Sequence, residues 1–289
     1  MRTTNNNLSA LPFYADISEQ DWRKPCAYGE VYPLIAQQGI GLPFQIIVQH
    51  LDMEMPFVNV YNKNGEAVAS IVGEMLQAGL TQKSLDATTD VFMFPAIFPM
   101  QTDIPEGQYY LVFGYGTQRY YSEVFTLVNN VSGYAKLEWY NEDNIEYEGG
   151  EIVFNEPRFN YYLYLNTDVG KPEYPFTEEG ETRDGYFFAE KQLSEKRYKC
   201  NFVAPEYMCD ALRIVRMCDH VRVTDKHGRK YECDTIMFTP TWQTQGNLAS
   251  VEMEFETNTI IKKIGNRTIA QRDADFNDDY NEDYLIETT

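Results

Sequence analysis

The side chains of this chain that could do chemistry are mostly carboxylates. Between Asn141 and Glu190 stand 13 Asp and Glu against 3 Lys and Arg, a local charge of −10 in a chain of −20. Glycoside hydrolysis needs two carboxyls apposed in unequal environments, one protonated and one ionised. A stretch this dense in acid supplies many pairs and singles out none, so it reads as a solvated or partner-facing surface. Farther on, Asp273 to Tyr284 places oxygen ligands at the first, third and fifth positions of a calcium loop. The sixth position is Asp278 where the turn needs Gly, and the twelfth is Tyr284 where a bidentate Glu is needed. That stretch reads as a disordered acidic tail.

Cys218, His220, His227 and Cys233 lie close in sequence, but their spacing matches no common zinc finger or ribbon. His50 has no evident Ser or Cys partner and reads as a strand-end histidine. Neither a G-x-S-x-G elbow nor a phosphate loop occurs, and Gly114-Tyr115-Gly116 reads as a turn. No catalytic, cofactor-binding or metal-binding residue is nominated. The pairs Tyr109-Tyr110, Tyr120-Tyr121 and Tyr161-Tyr162 put one ring inward and one outward on their strands. Outward tyrosines would stack on sugars or anchor a protein interface.

What positions these residues is a chain written in strands. Aromatics make up 15% of it, with 22 Tyr and 17 Phe, and such residues favour pleated, half-buried surfaces. The clearest helix is Pro205 to Cys218. Pro205 suits its first turn, and Tyr207, Met208, Ala211, Leu212, Val215 and Cys218 fall on one face with Arg213 and Arg216 opposite. A helix followed at once by two-residue alternation, from Val221 on, uses its apolar face to cover a sheet. From Gly29 to Val128 about seven short strands follow one another, with an Asn64-Gly65 hairpin turn and a second hairpin around Tyr115 to Gln118. That is the pattern of an immunoglobulin-like sandwich. Pro95 and Pro99 mark the strands beside them as edges or ends. Ala135, Leu137 and Trp139 line the inner face of a later strand, as do Val251, Met253 and Phe255, whose outer face carries Glu252, Glu254 and Glu256. Asn166 to Lys191, rich in Glu, Gly and Pro, reads as a long interactive loop.

The expected fold is mainly β. It comprises an extended N-terminal arm (1–27), an immunoglobulin-like β-sandwich (28–130), a β-rich domain with one packing helix at about 205–218 (131–265), and an acidic C-terminal tail (266–289). The polar joint Asn129 to Gly133 divides the two domains. The arm would cross the first domain or pair with a neighbour's sheet edge.

A net charge of −20 and a pI near 4.5 argue against gripping nucleic acid through its phosphates, though a negative wall would let it slide past. No run approaches membrane-spanning length, and the N-terminus shows no secretory leader, so no membrane insertion is expected. Five cysteines without a CxxC pair read as reduced thiols of a protein made in a cytosol. The Asn-x-Ser/Thr triplets at Asn7, Asn130 and Asn266 are then chance matches.

Two stretches carry a resemblance. Pro105 to Val112 with Tyr120 to Phe125 resembles the final hairpin of immunoglobulin-like modules. Tyr207 to Val223 with Leu248 to Phe255 looks like virion structural proteins of tailed bacteriophages, in which a sheet is flanked by one helix and closed by such a strand. The resemblance implies a non-enzymatic tail, hub, baseplate or adaptor component. It would be made in the host cytoplasm and resident in the virion, assembling as a homo-oligomeric ring with other virion proteins and carrying no cofactor. Two other classes remain in view. One is a carbohydrate- or receptor-binding β-sandwich module, suggested by the tyrosines and the long loop. The other is a β-rich glycoside hydrolase, suggested by carboxylate abundance.

Overall fold

The structure, a computed structural model, describes residues 4–5, 9–23, 34–40, 42–51, 55–71, 81–94, 104–142, 145–146, 154–155, 160–242, 247–257 and 261–264. Cys26, the strand expected at Ala96 to Met100 and the acidic tail from 266 lie outside them. As the aromatic and β-branched composition predicts, the described chain is mainly β, with a single α-helix.

The N-terminal segment carries β1 (Thr4–Asn5), β2 (Phe13–Tyr14) and two short 3₁₀ turns over residues 17–23. After it come β3 (Ile35–Gln37), β4 (Phe44–Gln49), β5 (Phe57–Asn62), β6 (Ala67–Ile71), β7 (Thr81–Asp86) and β8 (Thr89–Phe94). A further run is β9 (Gly107–Tyr115), β10 (Gln118–Ser122) and β11 (Phe125–Val128). Strands β4, β8 and β7 form one sheet. In the other, β9 is central, with β5 and then β6 on one side and β10 followed by β11 on the other. The short β3 pairs with β11 in parallel. This strand order is that of an immunoglobulin-like sandwich. Tyr109 adds the corner typical of that fold, its hydroxyl donating to the Pro105 carbonyl at 2.9 Å. At Gly114 in β9 the Phe57 ring stands where a Cβ would be, so any larger residue there would have to displace it.

Two expectations for this part left alternatives open, and the structure decides between them. Strand β8 is no edge: it lies between β4 and β7, and its residues from Asp90 to Phe94 are all buried. Pro95 merely ends it. The N-terminal arm does not await a neighbour. Ser9 to Tyr14 are buried, β2 pairs with β10, and the Phe13 ring sits 4.8 Å from that of Phe44 in the chain's own core.

The rest of the chain contributes β12 (Ala135–Tyr140), β13 (Ile145–Glu146), β14 (Phe154–Asn155), β15 (Tyr161–Leu165), β16 (Phe176–Arg183), β17 (Tyr186–Ser194) and β18 (Arg197–Pro205). Then come α1 (Glu206–Val215), β19 (His220–Thr224), β20 (Lys230–Trp242), β21 (Leu248–Thr257) and β22 (Ile261–Ile264). A six-stranded sheet runs β15-β12-β19-β20-β21-β18. Ala135, Leu137 and Trp139 of β12 and Val251, Met253 and Phe255 of β21 point into its core, as their alternation predicts. On the outer face of β21, Lys199 meets Glu254 at 3.4 Å and Thr235 donates to Glu256 at 3.0 Å. The helix is three residues shorter at its end than expected. It buries Met208, Ala211, Leu212, Ile214 and Val215, while Tyr207 and Cys218 are half-buried.

The chain divides into compact units differently from the expected domains. One unit holds residues 1–171 with 198–256, and the other holds 172–197 with 257–289. The joint at residues 129–133 is no boundary between cores, because the tyrosines of β15 reach into the sandwich. Tyr161 donates to Gln45 at 3.2 Å and Tyr164 to Gln37 at 2.9 Å, and the apolar core runs unbroken from Leu11 to Phe255. In the second unit, β16, β17 and β22 form a three-stranded antiparallel sheet. The stretch Asn166 to Lys191 is therefore largely a β-hairpin and not a long loop. Its turn is Asp184-Gly185, with φ of 51° and 81°, the left-handed pair that a two-residue hairpin requires.

Candidate interaction site

The residues weighed for chemistry are scattered by the fold. Cys218 lies three residues past the end of α1, its thiol 3.4 Å from the Ile214 carbonyl. His220 stacks on Tyr140 and pairs with Glu142 at 2.8 Å. His227 sits in a turn closed by Asp225, and Cys233 packs half-buried in β20. Among the described residues no three His, Cys, Asp or Glu side chains gather as a metal set. No described helix is long and apolar enough to cross a membrane.

His50 does have a partner that the sequence did not reveal. Its Nδ1 lies 2.8 Å from Oδ2 of Asp90, a carboxylate with no exposed surface. The Tyr115 hydroxyl lies 3.2 Å from the same oxygen and 2.7 Å from the Leu51 carbonyl. Since β4 and β8 belong to one sheet and β9 to the other, this triad fastens the two halves of the sandwich. A buried carboxylate persists only when so satisfied.

The tyrosine pairs do alternate between faces, but the outer face is covered. Tyr110 is buried with Val112 and Val124 under Ile17, Tyr61 and Tyr121, and its ring stacks on Tyr61 at 5.5 Å. Tyr161 and Tyr162 are both buried in the main core. The outward rings that suggested sugar binding are therefore spent on packing.

Among the described residues, two surfaces stand open. The first is the β16–β17 hairpin, where Tyr186 is 72% exposed, Phe176 60% and Phe187 53%, with Tyr174 just before it at 66%. Glu178, Glu179 and Glu181 stand exposed among them. Sequence reading located this stretch as interactive but missed its strands, although Asp-Gly between apolar residues was the available signal. The second is a groove between α1 and the far half of β20, where Met237 and Trp242 are exposed.

No protein-family model matches this sequence, and no curated protein is similar to it. Two solved structures share some likeness. One is the crystal structure of DIP-gamma IG1+IG2, at 11% identity and a TM-score of 0.14, over 60% of this chain and 86% of that one. The other is Dpr2 Ig1-Ig2 in complex with DIP-Theta Ig1-Ig3, at 7% identity and a TM-score of 0.14, over 82% and 97%. The immunoglobulin-like character of the sandwich rests on its strand order and the Tyr109 corner.

Proposed function

We propose that this chain is a non-enzymatic structural subunit that works by assembly with copies of itself and with other proteins. The resemblance of its helix and closing strand to virion proteins of tailed bacteriophages points to a tail, hub, baseplate or adaptor position. The observation that carries the assembly reading is the β16–β17 hairpin. Three large aromatic side chains held in water on one hairpin, with Tyr174 exposed just before it, are costly unless a partner covers them, and Tyr and Phe anchor such contacts well. The glutamates between them keep the free subunit soluble and favour a partner with a polar or basic rim.

Native mass measurement tests the reading. The full-length protein is expected to form a particle of defined copy number, or a defined complex with its partner subunit. Replacing Tyr186→Ser and Phe187→Ser together is expected to shift it to monomer while leaving stability within about 0.5 kcal/mol, as for other surface changes. A wild-type protein that stays monomeric alone and with candidate partner subunits would sink the proposal.

A further inference from the structure

The sheet of the second unit has two unlike edges. Strand β17 lies in the middle, with β16 along one side and β22 along the other. No described strand pairs with the outer side of either. Residues 176 to 182 of β16 are all exposed, whereas residues 191 to 194 of β17 are half-buried. The one irregularity in the hairpin spares that edge. Glu179 pairs with Lys191 and Gly180 with Ala189, so the extra residue is Glu190 of β17. With no proline from 176 to 183, alternate residues of β16 hold both main-chain hydrogen-bonding groups outward.

The edges also differ in charge. Strand β16 carries Glu178, Glu179 and Glu181 against Arg183, while β22 reads Ile261-Lys262-Lys263-Ile264. Glu178 is hydrogen-bonded to Gln192, and Glu179 sits 3.3 Å from Lys191 while its side chain stays 62% exposed. Two β16 strands meeting antiparallel would repel. Every register centred between residues 178 and 180 sets glutamate directly against glutamate. Two β22 strands centred on their lysines would oppose like charges in the same way. Edges that reject their own kind and match each other define a head-to-tail contact.

We infer that β16 of one copy pairs with β22 of the next, joining the two sheets into one. Each strand is antiparallel to β17, so the two run parallel to each other. Copies related by a small rotation therefore bring them together in parallel. The register that sets Glu178-Glu179 beside Lys262-Lys263 puts one pair of opposite charges on each face of the joined sheet. Main-chain hydrogen bonds supply affinity, and the charges supply register. Such a contact is heterologous, and repeated with a rotation that closes it makes a ring. The inference rests on the assembly reading and names the contact between copies.

Native mass over a dilution series of the full chain, with hydrogen exchange on the same samples, tests it. Amides within 176–183 and 261–264 are expected to exchange more slowly in the multimer than in the dilute monomer. Glu178→Lys and Lys262→Glu are each expected to weaken assembly at least about tenfold, and the two together in one chain to restore it. Urea unfolding checks that each variant keeps its fold; exchange on the unmodified chain decides the matter if one does not. The inference is overturned by a multimer whose β16 amides exchange as fast as in the monomer. It is also overturned by single reversals that leave assembly unchanged, or by a double variant no tighter than the singles. An unmodified chain that associates only with a different protein overturns it as well. Each of these outcomes leaves the assembly reading standing, whereas a chain that stays monomeric alone and with candidate partner subunits sinks both.

Discussion

Tyr109 and Glu123 show how much of the sandwich hangs on single polar atoms. The Tyr109 hydroxyl pins the turn before β9 to the strand. Tyr109→Phe removes that bond and little else, so a loss of about 1 kcal/mol in urea unfolding is expected. A loss near zero would show that the corner contributes nothing here. Glu123, almost fully buried where β10 breaks from β11, accepts from the backbone N–H of Asp21 at 2.7 Å and of Val124 at 3.0 Å. Burial first, then the charge of Glu123, holds the Tyr14 phenol protonated far above its ordinary range. The thiols behave alike: burial pushes Cys200 and Cys209 up to about 11 and Cys233 to about 12. A raised thiol pKa stabilises the fold at pH below the unfolded value near 9, and that contribution is lost as pH rises beyond it. Stability is therefore expected to fall above about pH 9. Iodoacetamide at about pH 8 is expected to spare Cys200 and Cys233 in the native protein. After denaturation without reductant all five cysteines should be labelled; three or fewer labels would reveal a disulfide.

Helix α1 was legible because its apolar positions recur every three to four residues, a period no strand shares. Leu212 is 2% exposed, so Leu212→Ala is expected to cost about 2–5 kcal/mol by thermal or chemical unfolding. A loss below about 0.5 kcal/mol would place that side chain at the surface instead. The hairpin of β16 and β17 was not legible in the same way. Both of its faces are largely exposed, so no alternation of apolar and polar residues marks it, and its acids resemble a solvated loop. Its one local signal is the Asp184-Gly185 turn.

Across the whole first unit, the N-terminal strap decides more than its irregular sequence suggests. Besides β2, it is held by the buried Gln20, whose side-chain amide donates to the Ser122 carbonyl, and by the Glu123 contacts. Phe13→Ala is expected to cost about 3–5 kcal/mol, measured by chemical unfolding. Deleting residues 1–26 should destabilise the sandwich and not merely weaken assembly. A truncated chain that unfolds at the same denaturant concentration as the full one would return the strap to the role of a free arm.

Some features of this protein followed from its sequence alone. The β class, the packing helix, the Asn-Gly hairpin and the inner faces of β12 and β21 are written in local periodicity and turn chemistry, which act within a few residues. Other features depend on partners far apart along the chain. His50 meets Asp90 40 residues away, Glu123 meets Asp21 across 102, and Tyr161 meets Gln45 across 116. Which sheet covers the strap and where one core merges with the next are likewise set by such contacts. A sequence read locally carries no distance information of that kind, so only the tertiary structure could decide them.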